Sequence, residues 1–154
     1  INKRGAQRKR APMESGITYR IIPELRLVHF KGFGRVTYPV LVENIRKLHC
    51  DPDWDFSYNS FIDFEDAEVD YRDGGLDEYQ DFFDNLQEGA SPRKWAIFTR
   101  QQVTRLNAAM AFLQASSSIV INVFDNEADA LAFLGVAPRD FRSALQKARS
   151  KEEP

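Results

Sequence analysis

Carboxylates are the side chains that could do most chemistry in this chain. Asp63, Glu65, Asp66, Glu68 and Asp70 crowd together directly after Phe61-Ile62, at the end of a stretch that reads as a central strand. Such a cluster suits three chemistries: calcium ligation, paired acid–base work, or recognition of a partner by charge. A calcium loop takes oxygen ligands at alternating positions, a glycine at the sixth and a glutamate at the twelfth. Counted from Asp66, the sixth residue is Tyr71; counted from Asp51, the sixth is Phe56 and the twelfth Ile62. Both counts fail. Acid–base work requires a shaped, partly dry pocket that moves one carboxyl pKa, and no sequence pattern here signals one. Recognition is what survives. Asp63, Glu65 and Asp66 are therefore the candidate ligand- or partner-binding residues, at the strand end where α/β sheets bind ligands. A solvated charged loop is the plainer reading of the same residues.

The nitrogen and sulfur ligands are too few and badly spaced. His29, His49 and Cys50 are the only imidazoles and the only thiol. A zinc site needs three or four such ligands, and adjacent His49-Cys50 does not chelate from a helix. A Cys–His nucleophile pair requires His29 to reach Cys50. His49 falls near a helix C-terminus, where the dipole favours it, and His29 reads as a packed strand histidine. Ser116-Ser117-Ser118 precedes a strand, whereas a nucleophile elbow follows one. Gly32-Phe33-Gly34-Arg35 lacks the spacing and lysine of a phosphate loop and reads as a turn. No metal, no cofactor and no catalysis are expected.

Charge narrows the partners. Residues 1–16 carry Lys3, Arg4, Arg8, Lys9 and Arg10 against Glu14, a local +4 in a chain of −2, so the rest carries −6. Between Asp51 and Glu88 stand fourteen acidic residues and one basic one, Arg72. That surface repels nucleic acid, which makes it an unlikely partner for the body of the protein. The basic segment has no interleaved aromatics for base stacking; its complement within the sequence is the acidic stretch of its own or a neighbouring chain. No apolar run approaches the ~20 residues of a membrane span, and no signal-peptide opening is present. With a single cysteine, these features lead to the expectation of a cytoplasmic protein.

The elements that must position these groups can be read from periodicity. Ile17–Ile22 and Leu25–Phe33 read as strands joined at Pro23-Glu24, with Leu27 and His29 on one face of the second and Val28 and Phe30 on the other. Gly32 and Gly34 are expected to end that strand. Pro39 opens a helix carrying Leu41, Val42, Ile45 and Leu48 at helical spacing, broken by Asp51-Pro52-Asp53. Asn59–Phe64 is the next strand, followed by a turn at Asp73-Gly74-Gly75 and a helix burying Leu76, Tyr79, Phe82, Phe83 and Leu86. Arg93–Thr99 and Gln101–Ala115 give a further strand and helix. Ile119–Phe124 is apolar enough to be a strand buried on both faces. Asp125 or Asn126 caps a short helix, Gly135 supplies its left-handed stop beside Val136, and Pro138 opens a last helix rich in Arg and Lys. The order β-β-α-β-α-β-α-β-α-α is that of an α/β protein with a mixed sheet of about five strands packed with helices.

That order, with Arg26-Leu27-Val28, Phe30-Lys31-Gly32, Phe61-Ile62-Asp63-Phe64, Val123-Phe124-Asp125 and Ala130-Leu131-Ala132-Phe133-Leu134-Gly135, resembles the STAS-like fold of the anti-sigma-factor antagonists. It is most similar to the bacterial SpoIIAA-like (STAS/SEC14-related) proteins of unassigned function. The likeness covers residues 17–136, between a basic tail (1–16) and a C-terminal helical extension (137–154). It implies a cytoplasmic module that binds rather than catalyses, acting through a protein partner or as a homodimer. The antagonists carry a phosphorylatable serine after the central strand, whereas the corresponding Asp63-Phe64-Glu65-Asp66-Ala67-Glu68 holds neither Ser nor Thr. The SEC14-related side implies an alternative, a carrier or sensor of a small apolar, lipid-like ligand lined by some of the chain's many aromatics. An enzyme comes third.

Overall fold

The computed structural model describes residues 15–70, 93–101 and 119–152. Its elements are β1 (Gly16–Ile22), a 3-10 turn (Pro23–Leu25), β2 (Leu27–Thr37), α1 (Tyr38–His49), β3 (Asn59–Asp70), β4 (Arg93–Phe98), β5 (Ile119–Phe124), α2 (Glu127–Phe133) and α3 (Pro138–Glu152). The strands lie in chain order, β1-β2-β3-β4-β5, with β1 antiparallel to β2 and the others parallel. This is the expected α/β architecture. The helices read at 76–86 and 101–115, the turn at 73–75, the triple serine and the basic segment 1–14 lie outside the described residues.

Pleating divides the side chains between two cores. Val28, Phe30, Ile62, Trp95 and Ile97 face one side of the sheet, where α1 lays down Leu41, Val42, Ile45 and Leu48. Each such side chain taken fully out of water stabilises the fold by roughly 1.5–3 kcal/mol. Leu27, Phe61 and Phe98 face the other side and meet Leu131 of α2 and Phe141 and Ala144 of α3. Gly135, at φ +75°, ends α2: Val136 N–H donates to the Leu131 carbonyl at 2.9 Å and Gly135 N–H to Ala132 at 3.0 Å. At the other end, Asn126 accepts from the Asp129 N–H at 2.8 Å. Both stops are the ones the sequence predicts.

Three expectations are corrected. The glycines do not end β2, which runs on to Thr37. The acidic stretch is not a loop after a strand that ends at Phe64, because β3 continues to Asp70. A bulge joins these two facts. Lys31 pairs with Asp63 and Phe33 with Asp66, so β3 holds one residue more than β2 across the interval. The Phe64 ring lies over Gly32, where a Cβ would stand 2.7 Å from Phe64 Cδ1. Glycine is there because the ring needs the space. Finally, β5 is not buried on both faces: Ile119 and Ile121 are buried, but Val120 is 43 % exposed and Asn122 is open to solvent. Its place at the end of the strand order accounts for this.

Candidate binding cleft

A cleft of about 930 Å³ runs along β1, the outer strand of the sheet. Consecutive residues from Thr18 to Glu24 line it, so among the described residues the strand borders the cleft with its backbone edge as well as both faces. The antiparallel register sets Arg20 opposite His29 and Tyr19 opposite Phe30. Arg20 therefore shares the face covered by α3, and Tyr19 the face covered by α1. On the α1 side, the Tyr19 hydroxyl donates to Asp51 Oδ2 at 3.0 Å. Burial and then the Asp51 carboxylate push this phenol up to about 12. On the α3 side the wall is Phe141 and Leu145, then Lys147, Arg149 and Lys151 towards the helix end.

The floor on that side is His29, Lys31 and Asp63. His29 stacks on Phe61 at 5.4 Å between ring centroids and meets Phe141 edge-on at 5.0 Å, and its buried Nε2 has no hydrogen-bond partner. Burial pulls its pKa down to about 4; Asp63 opposes that, while Lys31, Arg20 and Arg149 add to it. The ring is neutral at pH 7.

Of the sequence candidates, Asp63 and Asp66 come together and Glu65 stands beside them. Lys31 Nζ bridges Asp63 at 3.2 Å and Asp66 at 3.1 Å. Burial alone lowers the Lys31 pKa, but its bonds to the two carboxylates outweigh that, and the net shift is upward. Asp63 is buried, with 8 % of its side chain exposed, and its other oxygen accepts the Glu65 N–H at 2.9 Å. Asp66 is 67 % exposed. Glu65 pairs with Arg100, just beyond β4. These carboxylates are thus already held by cations. Asp63 and Glu65 line the cleft, whereas Asp66 lies on its Lys31 side.

The other sequence candidates fall elsewhere. His49 Nδ1–H donates to the Ile45 carbonyl at 2.8 Å, and the ring packs on Trp54 at 4.0 Å. Burial lowers its pKa, the Ile45 bond opposes this and Arg93 reinforces it. His49 is the last residue of α1, the helix end at which the sequence reading puts it. Cys50 is exposed at the end of α1. His29 lies on the opposite face of the sheet, so the two form no nucleophile pair. Among the described residues no group of three metal-ligating side chains comes together. Phe61, Phe64 and Phe98 are core, and Phe56 is exposed beside Arg93, whose guanidinium stands 5.8 Å from its ring. Among the described residues the cleft draws only Tyr19 and Phe141 from the Phe, Tyr and Trp side chains.

Sequence reading missed Arg20, Lys31 and Arg149 as cleft residues. Only Lys31 left a trace, as a cation among the apolar residues of a strand beside a carboxylate-bearing one. The pairing that joins them is a matter of register.

No family model and no curated protein matches the chain. Among solved structures it is similar to an uncharacterized protein of the DUF3478 family with a SpoIIAA-like fold, from Shewanella loihica PV-4. The TM-score is 0.53 at 16 % identity, over 79 % of this chain and 95 % of that one. At that identity the likeness is one of fold. The chain is an α/β protein with a SpoIIAA-like fold, as its sequence motifs suggest. Among the described residues no helix is long and apolar enough to cross a membrane.

Proposed function

We propose that the chain is a non-catalytic binding or regulatory module that works through protein contacts at this cleft and its acidic rim. One observation carries the reading: Asp63, Glu65 and Asp66 are each engaged by a cation, Lys31 or Arg100, and form a fixed, mixed-charge strip beside an open groove. Paired charges of this kind set register and partner choice across an interface. They are poorly placed to exchange protons with a substrate. The apolar-carrier alternative calls for an aromatic-lined enclosure, and the charged walls of the cleft do not favour it.

The test is quantitative affinity capture from the native host with wild type and Glu65→Lys/Asp66→Lys. Partners retained by wild type and lost by the variant, with circular dichroism and melting unchanged, are the expected result. Identical capture removes the acidic rim from the site. Native mass spectrometry of the same protein reads the expected homodimer, and a small apolar molecule released on denaturation would favour the carrier instead.

A further inference from the structure

The cleft follows a strand edge, and that decides what shape of partner suits it. A strand paired on one side only leaves every second residue's N–H and C=O pointing outward, a template for another strand. Here the template is β1, seven residues long, antiparallel to β2 and, among the described strands, without a neighbour on its far side. Edges are often blunted by Pro, a bulge or a covering element. β1 contains no proline and pairs with β2 in unbroken register from Gly16 to Ile22. Walls stand on both sides of it, α3 on one and the Asp51–Asp53 segment on the other.

The walls differ in charge. Among the described lining residues the α3 wall carries Lys147, Arg149 and Lys151 and no carboxylate, with Glu24 and Glu127 facing it from elsewhere, while Asp63 and Asp66 share Lys31 and Glu65 is bound to Arg100. The helix wall itself is cationic. Towards α1 lie Tyr19 and Ile21, half-buried and packed on the core, with Asp51 and Asp53 at the rim. An added strand sends alternate side chains to opposite walls. We propose that the cleft takes an extended peptide segment of a partner protein as a sixth strand on β1, with acidic side chains towards α3 alternating with apolar ones over Tyr19 and Ile21. This rests on the binding-module reading and names its mode of recognition: main-chain bonds for affinity, alternate side chains for selection.

The probe is a blocked octapeptide of alternating Glu and Val, titrated into the full chain and followed by amide NMR and calorimetry. Shifts and slowed amide exchange concentrated in Gly16–Ile22 are expected. Two N-methylated versions separate strand pairing from charge attraction. Methylating the amides of one residue type should weaken binding at least about tenfold, because the blocked N–H groups are those facing β1, and methylating the other type should leave it near the parent. Arg149→Glu should weaken the parent peptide several-fold while a Lys/Val peptide gains. Equal binding by both methylated peptides, or shifts confined to the outer face of α3, overturns strand addition. No binding at millimolar peptide overturns it as well. Perturbation of β1 on raising protein concentration alone assigns the edge to a second copy and overturns the peptide proposal. In each of these cases, a partner captured through the Glu65–Asp66 rim leaves the broader binding-module reading standing.

Discussion

At the residue scale, His29 ties stability to pH. Its ring is caught between Phe61 and Phe141, with Nε2 unpartnered and Arg20, Lys31 and Arg149 near enough to disfavour a further positive charge. The folded-state pKa of about 4 lies below the ordinary 6.5. Below pH 6.5 the unfolded chain therefore takes up a proton that the native chain refuses. The resulting stability is fully present above that value and is lost progressively down to about pH 4. The loss amounts to about 3 kcal/mol on the usual conversion of pKa shift to free energy. Urea midpoints measured between pH 7 and 4 should fall more steeply for wild type than for His29→Leu. Parallel curves would mean that the histidine is solvated in acid and does not govern the slope.

At the scale of elements, the long β2–β3 pair depends on one glycine. A methyl at Gly32 would stand 2.7 Å from the Phe64 ring and 3.3 Å from the Ala67 Cβ, so Gly32→Ala should cost about 1–3 kcal/mol by overpacking. Gly32→Ala/Phe64→Leu should recover part of that in chemical denaturation; equal loss in both variants would place the strain in the backbone instead. This pair is also where the sequence was least legible. Gly-Phe-Gly has the composition of a turn, and Glu65 to Asp70 offers only Ala67 and Val69 as alternate apolar residues, with Asp and Glu poor strand formers. The strand persists because its neighbour supplies the ladder, a tertiary effect. Where local chemistry was self-sufficient, as in the apolar stripe of α1 or the Asn126 and Gly135 stops of α2, sequence and structure coincide.

At the scale of the whole molecule, the first and last of the described strands differ. β1 borders a walled cleft, while β5 shows Val120 to solvent. The apolar run Ile119–Phe124 was read as doubly buried because hydrophobicity does not record a strand's place in the sheet, and the cleft left no sequence signal because β1, α3 and the Asp51 segment meet only on folding. Exposed apolar edges promote association, and a lysine is a common safeguard. Val120→Lys should lower concentration-dependent light scattering while changing stability by no more than about 0.5 kcal/mol. Unchanged scattering would place any self-association elsewhere.

The extra residue in β3 works as a shift of phase. Up to Asp63 the odd-numbered positions look towards α3; beyond the bulge the even-numbered ones do, while Ala67 and Val69 turn inward beneath α1. Erasing the extra residue would close the bulge and leave the downstream side chains on the faces they now hold, because Phe64, Asp66 and Ala67 would then oppose Gly32, Phe33 and Gly34 one for one. A β3 that kept every residue but ran without the bulge would instead drive Asp66 and Glu68 into the oily layer and turn Val69 out into water. The bulge is thus what lets a strand spelled largely in acids keep those acids out of the core.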